Sequence, residues 1–128
     1  MHVGMKRIAL ACILLASAAP ALATGGFDCR ATDNSGLGLA GTTGRVVITP
    51  LVGARLTIGQ QTLATDDPEP AIVVGQSWID DREIRIDLVD PNFERIEAQL
   101  RARIVRPGIA TGTLVREGRT HPVRCEIE

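Results

Sequence analysis

Between Arg95 and Val105 the chain alternates polar and apolar residues without a break. Arg95, Glu97, Gln99, Arg101 and Arg103 interleave with Ile96, Ala98, Leu100, Ala102 and Ile104. A period of two puts each set on its own face of a β-strand. Composition pulls the other way, because Ala, Leu, Arg, Glu and Gln are good helix formers and Asp90-Pro91 followed by Glu94 resembles a helix start. On a helix, however, Ile96, Leu100 and Ile104 would share one side while Ala98 and Ala102 fell nearly opposite, next to Arg101. Propensity is the weaker signal, and the stretch reads as a strand.

The same period recurs on both sides of it. Glu83–Val89 sets Ile84, Ile86 and Leu88 against Glu83, Arg85 and Asp87, and Asp90-Pro91-Asn92-Phe93 predicts the turn that follows. Arg106-Pro107-Gly108 ends the long strand. Ile109–Arg116 and Arg119–Ile127 then flank Glu117-Gly118, a two-residue hairpin turn with Gly at a left-handed position. That register puts His121, Val123, Cys125 and Ile127 on one face with Ala110, Gly112 and Leu114.

The first half is less regular. Phe27–Ala31 alternates with Phe27, Cys29 and Ala31 on one face, and is the first strand. Thr32–Gly44, dense in Gly, Asn, Ser and Thr, reads as a loop or irregular hairpin. Arg45–Thr49 is a β-branched strand ended by Pro50, and Ala54–Gly59 with Gln61–Ala64 predicts a strand pair turning near Gly59-Gln60. Thr65–Pro70, T-D-D-P-E-P, reads as an acidic surface loop. Ala71–Gly75 is a short apolar run continued by Trp78-Ile79, with a turn at Asp80-Asp81. Together these predict an all-β fold, a small antiparallel barrel or sandwich of about eight strands.

The N-terminus departs from that pattern. Lys6 and Arg7 precede an apolar run, Ile8–Ala19, and the A-x-A site Ala21-Leu22-Ala23. This is the layout of a secretory signal peptide over residues 1–23, too short for a retained membrane anchor. Cys12 follows Ala9-Leu10-Ala11, a poor lipobox. The remaining residues, 24–128, form a single domain of 105 residues, destined for the periplasm or secretion. Loss of Lys6 and Arg7 takes the net charge from −1 to −3 and leaves twelve arginines, no lysine and no tyrosine. The charges are interspersed along the chain, which does not suggest a nucleic-acid or anionic-membrane partner.

Two cysteines survive in that domain, Cys29 on the first predicted strand and Cys125 on the last, both facing inward. In an exported protein they are expected to pair. Closing a loop of ~100 residues stabilises a fold by up to ~4–5 kcal/mol in the chain-entropy description.

Candidate chemistry is sparse. Gly36-Leu37-Gly38-Leu39-Ala40-Gly41 matches the dinucleotide fingerprint letter for letter, but no helix follows to meet a pyrophosphate, and it reads as a flexible glycine loop. His121 is the domain's single histidine, and its serines are Ser35 and Ser77 alone, so no triad or ligand set gathers around it. Asp66-Asp67 with Glu69, and Asp80-Asp81 with Glu83, lack the ligand spacing of a calcium loop and read as solvated turn carboxylates. Trp78 is expected in the core. The arginines fall on outward strand positions, where sequence does not say which of them meet. No catalytic residue, metal ligand or cofactor is assigned.

Phe27-x-Cys29 directly after the leader, a β-rich body and a C-terminal cysteine resemble the layout of small periplasmic β-barrel proteins such as the inhibitors of c-type lysozyme. The family's Ser-Gly-x-x-Tyr-like stretch and its inhibitory lysine have no counterpart here, so the resemblance carries over no inhibitory residue. The expectation is a disulfide-closed, non-catalytic binding module for an envelope protein or glycan, engaged through loops at one end of the barrel. The alternatives are a small carboxylate-dependent glycan-acting enzyme and a small-ligand carrier.

Overall fold

The computed structural model describes residues 24–44 and 51–128. Nine strands are present among them: β1 (Thr24–Ala31), β2 (Leu37–Gly44), β3 (Leu51–Ile58), β4 (Gln61–Ala64), β5 (Val73–Ile79), β6 (Glu83–Val89), β7 (Ile96–Arg106), β8 (Ile109–Arg116) and β9 (Arg119–Ile127). They form one antiparallel sheet in the order β4-β3-β2-β1-β9-β8-β7-β6-β5, curled into a nearly closed barrel. Neighbours in sequence pair throughout, and the two halves are joined where β1 meets β9. The opening lies between β4 and β5, the two edge strands. Residues 65–72 link them and plant Ile72 in the core.

Alternation determines what fills the interior. Leu39, Leu56, Ile84, Ile86, Leu88, Leu100 and Leu114 are fully buried, each contributing roughly 1.5–3 kcal/mol by leaving water. On β7 the apolar set faces inward as its period requires, with Ala98, Leu100 and Ala102 buried; a register shift leaves Glu97 as an extra residue, so Ile96 pairs with Val89, out of the inward phase, and is exposed. The β8–β9 turn has Glu117 and Gly118 at φ 51° and 74°, the left-handed pair whose twist suits a two-residue hairpin.

The first and last strands are covalently joined. Cys29 and Cys125 sit directly opposite each other on β1 and β9, with Cα atoms 3.9 Å apart, and form a fully buried disulfide. In this ladder the Thr32 N–H donates to the Pro122 carbonyl and the Glu128 N–H to that of Gly26. The cysteines therefore occupy a non-hydrogen-bonded pair, the position where side chains of antiparallel strands approach most closely. Pro122 lies just beyond the end of β1, so its missing N–H leaves little of the ladder unpaired.

Four expectations are corrected. Thr32–Gly44 is not one loop: only the first part turns, and Leu37–Gly44 is strand β2, with Leu37 and Leu39 inward. Its glycines are accommodated by neighbours, and the ring of Phe27 lies where a Gly41 side chain would be, 2.6 Å from the β-carbon position. The apparent nucleotide fingerprint is thus a barrel strand rather than a flexible loop. The first strand also begins earlier, at Thr24.

Trp78 is 45% exposed and not in the core. A β-bulge between Val74 and Gln76 explains the difference. Val74 pairs with inward Leu88, but past the extra residue Gly75 the phase flips, leaving Ser77 and Ile79 inward and Trp78 outward. Asp87 faces outward, as the alternation of Glu83–Val89 predicts, and is 9% exposed, 2.9 Å from Arg101 Nη1. The Arg45–Thr49 strand, the signal peptide and Cys12 lie outside the described residues.

Candidate functional site

The outer wall of the barrel carries what the interior does not. Register places outward side chains in rows that run around the barrel. One row reads Glu83, Arg103, Thr111, Arg124, Arg30, Gly38, Thr57 on successive strands from β6 to β3. Arg30 and Arg124 are direct cross-strand partners, although they lie almost a whole domain apart in sequence. The next row reads Trp78, Arg85, Arg101, Thr113, with Arg85 directly opposite Arg101. Like charges facing each other across strands destabilise a sheet unless carboxylates stand beside them, and Arg124 has none within 4.0 Å among the described residues.

Beside Arg30 the wall is hollowed. The outward positions of β2 carry Gly38 and Ala40, flanked by Asp28 and Arg30 on β1 and by Arg55 and Thr57 on β3. The result is a trough of about 560 Å³. A second hollow of about 570 Å³ shares Asp28, Ala40 and Arg55, and a third of about 290 Å³ lies between Arg30 and Arg124. The hollows therefore border Arg124, Arg30 and Arg55, on β9, β1 and β3.

Ion pairing neutralises part of the belt. Arg30 Nη2 is 3.2 Å from Asp28 Oδ2, Arg85 Nη1 is 3.8 Å from Glu83 Oε1, and Arg101 is paired with Asp87. Asp28 thereby raises the pKa of Arg30, first through the hydrogen bond and then through its charge. Arg55, Arg103 and Arg124 have no carboxylate within 4.0 Å among the described residues. Carboxylates border the belt as well: Asp28, Glu83, Asp87 and Glu126 stand on its rows, Asp66 and Glu128 line hollows shared with Arg55, and Asp80 holds Trp78, so the free guanidiniums are local features of residues 24–128, which carry −3.

The other residues singled out from sequence have structural partners. His121 lies at the rim, where its Nδ1 is 2.8 Å from Asp33 Oδ2 and ties the β1–β2 loop to the barrel mouth. Asp33 is pulled down to about 2 by hydrogen bonding from Ser35 and then from His121. Asp80 Oδ1 accepts the Arg82 and Glu83 N–H groups at 2.8 Å each, and Oδ2 accepts the Trp78 indole N–H at 2.9 Å. Those bonds, the Arg82 amide first, hold its carboxyl below the usual range. Asp67 Oδ2 accepts the Ala64 N–H, which closes the turn after β4. Ser35 lies in the β1–β2 loop, and Ser77 opposes buried Ile86, well apart from His121 in register. Among the described residues no three His, Cys, Asp or Glu side chains gather as a metal site, and no helix is long and apolar enough to cross a membrane.

Sequence reasoning found the arginines as outward residues but not their convergence, which needs the β1–β9 register. Comparison with known protein families, curated proteins and solved structures returns no match. The barrel is compatible with the small β-barrel layout noted from the chain's ends, and its disulfide fits a compartment outside the reducing cytoplasm.

Proposed function

We propose that this is a periplasmic or secreted, non-catalytic binding module that holds an acidic component of the cell envelope, protein or glycan, against the arginine belt on its outer wall. The observation that carries this reading is the direct opposition of Arg30 and Arg124, in one row with Arg103 and across the trough from Arg55. An acidic ligand supplies the charge that Arg55, Arg103 and Arg124 lack among the described residues. Asp80 is committed to its turn, so the glycan-cutting alternative gains no support from it. The leader-like N-terminus supports export, and a domain stapled at its seam suits the envelope.

The test is affinity for two defined polyanions, polygalacturonate and poly-L-glutamate, measured by calorimetry with the oxidised protein. Binding is expected to weaken with added salt as the belt is screened. The double substitution Arg103→Glu/Arg124→Glu should lower affinity by about tenfold or more, since two attractions become repulsions. Arg119→Glu, at the β8–β9 turn and outside the belt, should leave it unchanged. Equal loss from both variants would remove the belt as the site.

A further inference from the structure

The two outward rows meet on β7, where Arg101 and Arg103 lie two residues apart on the same face. The belt is therefore continuous from Trp78 through Arg85, Arg101, Arg103, Arg124 and Arg30 to Arg55. From β5 to β3 it crosses seven strand intervals, roughly 33–34 Å along the wall. Arginine recurs along this track on β6, β7, β9, β1 and β3. In a nearly closed barrel that length curves most of the way round, so one stretch of ligand meets part of it, and Trp78, Arg85, Arg101 and Arg103 lie together on the neighbouring strands β5 to β7.

Trp78 stands at one end of the track, and its posture is specific. Its indole N–H is already given to Asp80 Oδ2 at 2.9 Å, and Asp80 is itself held by the Arg82 and Glu83 amides. The ring is thus fixed in orientation and exposed, and a ligand meets it through carbon rather than through the N–H. An acidic polypeptide such as polyglutamate has no ring to lay against it. A chain of sugar rings has a weakly polar C–H face as well as carboxylates.

We propose that the ligand of the belt is an acidic polysaccharide bearing uronate carboxylates, and that Trp78 contacts its sugar rings while the arginines pair with its charges. This rests on the belt reading above and names its ligand class.

The chain has one tryptophan and no tyrosine, so its intrinsic emission reports Trp78 alone. The experiment titrates the oxidised protein with polygalacturonate, and separately with poly-L-glutamate of matched charge, following emission and calorimetric affinity together. Polygalacturonate should change the emission saturably, and Trp78→Ala should weaken its binding by about fivefold, the order expected for one aromatic contact. Trp78→Phe, which keeps a ring, should retain most of the affinity, and poly-L-glutamate should be indifferent to both substitutions. Polygalacturonate binding that neither alters emission nor responds to Trp78→Ala overturns the sugar contact, while sensitivity to Arg103→Glu/Arg124→Glu would still uphold the belt. Binding of poly-L-glutamate without polygalacturonate assigns the belt to an acidic polypeptide and overturns the polysaccharide. Binding of neither overturns the belt reading itself.

Discussion

At Gly112 a β-carbon would lie 1.9 Å from the Arg101 carbonyl oxygen and 2.6 Å from Ala102 Cα. Strand β8 is pressed onto the backbone of β7 there, and only a residue without a side chain lets the two approach. Gly112→Ala should destabilise the domain at or beyond the upper end of the ~1–3 kcal/mol typical of overpacking, checked by urea denaturation. Asp33 gives a second prediction at this scale. Its pKa falls from the ordinary 3.8 to about 2 through hydrogen bonds from Ser35 and then His121. A depressed carboxyl stabilises the fold fully above its unfolded value, and that contribution is lost as pH falls through its folded value. The melting temperature of Asp33→Asn should therefore lie below wild type near neutrality, and the gap should close between about pH 4 and about pH 2. A gap of constant size across that range would mean that the charge of Asp33 adds nothing to the fold.

At the scale of elements, the seam between β1 and β9 is the one pairing that joins the two ends of the domain. A disulfide across it closes a loop spanning 96 residues of sequence separation. Cys29→Ala/Cys125→Ala should cost about 2–5 kcal/mol, measured by denaturant unfolding. The intact mass should rise by two hydrogens on reduction, with no alkylatable thiol in the domain beforehand. β6 to β9 were legible in advance because their alternation is strong and their turns carry Asp-Pro-Asn, Pro-Gly or Glu-Gly. β2 was not, because glycine and threonine mask its Leu37–Leu39 period, and the stretch looks like a strand only once Phe27 covers Gly41. β5 was legible as a segment, but not the bulge at Gly75 that flips Trp78 to the outside.

For the whole molecule, charge is distributed against the net balance. Residues 24–128 carry −3, yet Arg55, Arg103 and Arg124 stand on the belt with no carboxylate within 4.0 Å among the described residues, so association with an acidic ligand should depend strongly on ionic strength. The affinity ratio of wild type to Arg103→Glu/Arg124→Glu measures that local field directly, because the two sites are exposed and no ion pair within the protein is lost with them.

Sequence alone determined that this is a β protein, which faces of β6 to β9 point inward, where the late hairpins turn, and that Cys29 and Cys125 would both face the core. These follow from local rules: a period of two, the φ demands of turns, and the parity of positions along a strand. Tertiary structure decided which outward residues meet. The Arg30–Arg124 pair depends on register between strands at opposite ends of the chain, set as the sheet curls and the core closes. The outward Trp78 depends on one extra residue at a bulge, which reverses every side chain beyond it until the strand ends. The belt is built from those two non-local facts, and no reading of one strand at a time could contain it.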